Sequence, residues 1–230
     1  MEATLSNARP STLGAIGQVV LILVLMLVGL IAGALTGIVV MSSILGMALP
    51  LLVATWFLRR ERSGWHDLGF GISMPFLRFL AYTLVAVASI FLLAEGLLRW
   101  GLEAAGLPPI DLSSLKDLVH DDLTYYFLFL IPVSWGSAAF GEELLVRGFI
   151  LNRLEILTNN SMWAVVAQAA IFAVAHFYQG ITGVLVVFVI GLIMGAVFIR
   201  CGRNLWPVIV AHGLVDTIAV TSFYFGWNLL

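Results

Sequence analysis

Between Arg9 and Arg59 the chain carries no Asp, Glu, Lys or Arg, and a second such gap runs from Glu155 to Arg200. A helix needs about 20 apolar residues to cross a bilayer, so each gap accommodates two crossings. With 61% of residues hydrophobic and only 10% charged, the composition is far from that of a soluble protein. The expected fold is therefore all-α, a polytopic transmembrane helix bundle in a lipid bilayer. The net charge of −2 gives no basis for a nucleic-acid partner. Cys201 is the single cysteine, which leaves no internal disulfide to form. The apolar run after Arg9 is too long for a cleaved signal peptide, whose apolar core is about 7–15 residues, and reads as an uncleaved anchor.

Apolar runs between charged or turn-rich breaks predict about seven spans, near residues 13–36, 39–58, 76–98, 124–149, 161–178, 181–199 and 205–226. The breaks include "TNN" at 158–160, "YQG" at 178–180 and "RCGRN" at 200–204. Basic residues collect on the cytoplasmic side of membrane proteins. With the N-terminus in the cytoplasm, Arg9, Arg59, Arg60, Arg62, Arg78, Arg147, Arg153, Arg200 and Arg203 fall at cytoplasmic ends, and only Arg99 and Lys116 outside. An odd number of spans then puts the C-terminus on the opposite side. Asp111, Asp117, Asp121 and Asp122 fall in an external loop, where Ser114 to Asp117 reads as the cap of a short surface helix. Gly29, Gly33 and Gly37, and likewise Gly191 and Gly195, recur every four residues and predict close helix packing. The expected organisation is an N-terminal part, 1–123, holding the first spans and the acidic loop, and a helical core, 124–230, holding the polar residues.

Charge within a span is costly, on the order of 3 kcal/mol per residue at mid-bilayer, so such residues usually face an interior cavity and carry function. Glu95 lies near the outer end of its span with Arg99 as its i+4 partner and reads as structural. Glu142, Glu143, Arg147, His176, His212 and Asp216 have no such explanation. Successive helical residues are rotated by about 100°, so Glu142 and Glu143 have separate tasks. Glu143 and Arg147 are four apart, the spacing of an ion pair that neutralises both. Glu142 is left without a local partner, and desolvation suits a lone carboxylate to accept a proton. Phe172 shares a face with His176 and walls its pocket. Asn204 reads as a helix cap with Pro207 in the first turn, and Asp216 lies one turn beyond His212 on the same face. Glu, His, His and a second carboxylate on three spans form a set able to activate water or hold a metal.

The blocks "EELLVR" (142–147), "FAVAH" (172–176) and "HGLVD" (212–216) resemble, in type and order, the EExxxR, FxxxH and HxxxN/D pattern of the CAAX protease and bacteriocin-processing family, also called Abi, which contains the type II CAAX prenyl endopeptidases. The resemblance covers about residues 125–220 and implies an intramembrane endopeptidase acting on a membrane-associated protein or peptide, prenylated or not. It implies that Glu142 and His176 activate the attacking water, and that His212 and the residue at 216 stabilise the oxyanion. Asp216 stands where the prenyl-protease version has an asparagine, and an ionised aspartate would repel an oxyanion. Its role is therefore to be protonated, to orient His212 or to ligate a metal. No cofactor is firmly implied. A zinc ion held by Glu142, His176 and His212, with water in the fourth position, is the alternative to a glutamate mechanism. The catalytic cavity is expected to open to the cytoplasm. Two other functions compete: a proton-coupled transporter, since buried Glu, His and Asp also form proton relays, and a catalytically inactive scaffold or immunity protein.

Overall fold

A computed structural model describes residues 10–227. Arg9, counted above among the cytoplasmic charges, lies outside the described residues. The helices are α1 (Thr12–Ala34), α2 (Met41–Arg60), α3 (Phe76–Ala104), α4 (Ser113–Val119), α5 (Leu123–Thr158), α6 (Ser161–Ala175), α7 (Gly180–Arg200) and α8 (Leu205–Tyr224). Among the described residues, six helices are long and apolar enough to cross a membrane; at the fifth of the expected seven spans, α6 has only 15 residues. Fifteen residues rise roughly 22 Å, less than the ~30 Å hydrocarbon core. A helix that starts at one surface thus ends short of the other, and the 3-10 turn Phe177–Gln179 begins there, directly after His176.

Helix ends follow the local chemistry of the sequence. Ser11, Asp122, Asn160 and Asn204 each accept a backbone N–H of the first helical turn. Asn159 ends α5 in the left-handed region at φ 48°. Helix α4 forms in the acidic loop, but it starts before Ser114, and the Ser113 N–H and hydroxyl are taken by the Asp111 carboxylate at 3.2 and 2.7 Å. Those two bonds, the hydroxyl's first, hold the Asp111 carboxyl below its ordinary range. Helices α3 and α5 run on past the expected ends at 98 and 149 because their polar residues are paired: Arg99 with Glu95 and Glu103, and Arg153 with Glu61 at 2.6 Å and with Gln18. Within them, Ile90–Leu98 and Phe129–Ile150 are wound more widely than an α-helix, the Leu151 N–H reaching back five residues to the Val146 carbonyl.

Outward faces are apolar at mid-helix, with Leu52 68% and Leu92 70% exposed, as lipid contact requires. Inside, one hydrophobic cluster joins Ile22 of α1, Leu58 of α2 and Ile90 of α3 to Leu145 and Phe149 of α5 and Val208 of α8. At Gly29 and Gly33 the backbone of α2 comes so close that any side chain would strike the carbonyls of Leu45 and Met41. Gly37 belongs to the following turn at φ 71°, and Gly191 lets α7 approach Ala169 of α6. Gln168 secures that contact with a 2.9 Å bond to the Gly191 carbonyl.

The bundle has two distinct ends. At one, Arg153 bridges to Glu61 and Gln18, Arg203 to Glu155, and Leu205 N–H bonds the Gly69 carbonyl. The loop between α2 and α3 is fixed there by Asp67, whose carboxyl is held below its ordinary range by the Gly64 N–H and the Ser63 hydroxyl. At the other end, the loop between α3 and α5 lies over the start of α7: Asp111 N–H bonds the Gln179 carbonyl, and the Thr182 hydroxyl bonds that of Pro108.

Candidate active site

Helix α5 supplies the first block to the bundle interior. Glu143 and Arg147 are 0% and 1% exposed and joined by a 2.9 Å ion pair between Oε1 and Nη1. Neither charge is tolerable there alone, since an unpaired buried ion costs several kcal/mol. The Arg147 guanidinium also lies 4.6 Å over the Phe172 ring of α6, a cation–π contact that covers its face. Among the described residues its Nε and Nη2 have no hydrogen-bond partner.

The second block ends α6. His176 Nδ1 lies 2.8 Å from the Phe172 carbonyl. A carbonyl can only accept, so Nδ1 carries the proton and a neutral His176 keeps its Nε2 lone pair. The Phe172 and His176 rings are 4.6 Å apart.

Helix α8 brings the third block against α5 because residue 213 is glycine. A Cβ there would lie 2.6 Å from the Trp135 ring, while Trp135 Nε1–H donates to the Thr217 hydroxyl at 3.1 Å. This close approach sets His212 Nδ1 2.9 Å from Glu143 Oε1, the same oxygen that accepts from Arg147. His212 Nε2 lies 3.8 Å from Asp216 Oδ1, an ion-pair distance longer than a hydrogen bond. Phe172 stands edge-on to His212 with centroids 6.5 Å apart, so it touches both histidine neighbourhoods.

Glu143, Arg147, Phe172, His176, His212 and Asp216 line one cavity. Glu142 does not line it. Glu142 is half-buried beside it, within electrostatic reach of His212, Asp216 and Tyr178, and among the described residues its buried Oε2 has no hydrogen-bond partner. The bond between Glu143 and His212 escaped the sequence reading, which assigned Glu143 to Arg147 alone. A contact across 69 positions leaves no local trace. The same holds for Glu95 and Arg99, which join the cavity wall through the packing of α3.

A zinc ion does not fit the expected ligands as they stand. Among the described residues, no three His, Cys, Asp or Glu side chains are grouped to hold a metal ion. The bonds of His212 Nδ1 to Glu143 and of His176 Nδ1 to a backbone carbonyl hold the rings without occupying Nε2, but Glu142 stands outside the cavity that the two rings line.

Fold and site together define a polytopic membrane protein with a multi-helix cavity in whose largely apolar wall charged side chains are gathered. Residues 124–218 match the family model described as type II CAAX prenyl endopeptidase, Rce1-like, the family that the three blocks resemble. The matched segment holds all three; α1 to α3 lie outside it. No curated protein and no solved structure matches the chain.

Proposed function

We propose that this chain is an intramembrane endopeptidase in which Glu142 and His176 activate water against a peptide bond of a membrane-associated protein or peptide. The observation that supports it most is the convergence of polar groups from α5, α6 and α8 on one cavity, inside a segment that matches a protease family. Glu142 is the glutamate left free for proton transfer, because Glu143 Oε1 is shared between Arg147 and His212. His176, through Nε2, holds the water. As the water oxygen bonds to the scissile carbonyl carbon, its proton passes to Glu142 and the carbonyl oxygen becomes an oxyanion. His212, doubly protonated, gives its Nδ1–H to Glu143 and its Nε2–H as a hydrogen bond to that oxyanion. The C–N bond then breaks, and Glu142 returns its proton to the leaving amine. Asp216 orients His212 from one turn away and itself gives nothing to the oxyanion.

The matching experiment uses purified protein with peptides from its own membrane. Cleavage is expected to proceed at an undiminished rate after prolonged treatment with a strong zinc chelator. A loss reversed by added zinc would instead return Glu142, His176 and His212 to the role of ligands.

A further inference from the structure

We infer that the cavity is entered from the side of the membrane opposite the cytoplasm, and that the peptides acted on are presented there. The acting rests on the hydrolase reading above; the sidedness rests on geometry and charge alone. The cavity wall is completed by Glu95 and Arg99 from the end of α3, Ile110 and Leu112 from the loop between α3 and α5, and Gln179 from the turn after α6. All five belong to one end of the bundle, the end at which the Asp111 N–H and the Gln179 carbonyl join loop to turn. No described residue of the loops at the other end contributes to the wall.

That other end holds Arg59, Arg60, Arg62, Arg78, Arg153, Arg200 and Arg203. Against these seven, the cavity end has Arg99 and Lys116 among six carboxylates, Glu95, Glu103, Asp111, Asp117, Asp121 and Asp122. Arginine and lysine near span ends set orientation by remaining in the cytoplasm. The arginine-rich end is therefore cytoplasmic, and the mouth of the cavity faces away. A second hollow at the arginine-rich end reaches Arg147, Arg153 and Asp67 but none of His176, His212 and Asp216. The buried Arg147 thus stands between the two hollows, with Glu143 and Phe172 on its other faces. This inference departs from the expectation of an opening to the cytoplasm, because the loop of α4 and the end of α6 line the cavity at the end away from the arginines. A prenylated protein anchored on the cytoplasmic face would not meet these residues. A peptide segment presented at the outer face of the membrane would.

Cysteine labelling of the intact protein in sealed cells tests this, because Cys201 is the single native thiol and is buried. In a Cys201→Ser background, Ser114→Cys and Gln179→Cys report the cavity end and His66→Cys the arginine-rich end. A charged, membrane-impermeant maleimide is expected to label the first two at least tenfold faster than the third, and His66→Cys only after the membrane is permeabilised. Labelling of His66→Cys in sealed cells with Ser114→Cys and Gln179→Cys protected would overturn the sidedness, even if peptide cleavage were found. The expected labelling combined with no peptide cleavage would uphold the sidedness and remove the hydrolase reading instead.

Discussion

Glu142→Gln protein is expected to insert and fold like the native chain and to lose peptide cleavage by at least a factor of about 10², toward 10⁴, the range that proton transfer by a placed side chain supplies. The substitution keeps shape and removes the proton acceptor. It leaves the cluster of Glu143, Arg147 and His212 intact, because Glu142 makes no hydrogen bond within it. His176→Ala and His212→Ala are expected to act similarly, by removing the water-holding nitrogen and the oxyanion donor. The assay is single-turnover cleavage of a membrane peptide, with thermal unfolding in detergent as the control for folding. Comparison with Glu143→Gln decides between the two glutamates, since Glu143 is the one in the cavity wall. If Glu142→Gln cleaved at the native rate and folded Glu143→Gln did not, the base would be Glu143.

Arg147→Met is expected to have the largest effect on stability, about 3–5 kcal/mol, because it leaves the wholly buried Glu143 without its cation. Replacing both partners, Glu143→Leu with Arg147→Met, removes the stranded charge and is expected to restore most of that loss, since apolar pairs commonly substitute for buried ion pairs. Activity is not expected to return with it. Glu143 is a positioning residue for His212, and the double variant loses the carboxylate at 2.9 Å that fixes the imidazole. A folded double variant with native kcat and a native pH profile would show that Glu143 serves stability alone. Unfolding midpoints together with cleavage kinetics check both halves of the argument.

Much of the bundle can be read from local sequence because membrane helices are specified locally, by runs of apolar residues and the polar caps that bound them. Asn160 and Asn204 announce their helix starts, and Asn159 its helix end. The i+4 spacing of Glu143 and Arg147 is equally local, and so is that of Phe172 and His176. What fails to show is whatever depends on one helix meeting another. The bridge from Arg153 to Gln18 spans 135 positions and explains why α5 continues past the expected end at 149. The bond from His212 to Glu143 depends on Gly213 fitting against Trp135, and no spacing rule records that fit. The end from which the cavity opens is set by a loop and a short helix. Hydropathy gives neither; the shortness of α6 comes from a 3-10 turn within an apolar run.

The central claim is that groups on α5, α6 and α8 together split a peptide bond with water, Glu142 being the proton acceptor. Incubation of native and Glu142→Gln protein with membrane peptides in ¹⁸O-labelled water, followed by mass spectrometry of the new C-termini, tests it most directly. The native protein should generate C-terminal carboxylates carrying one ¹⁸O, and Glu142→Gln should generate none above background. No new termini from the native protein, or equal ¹⁸O incorporation by the two, would contradict it.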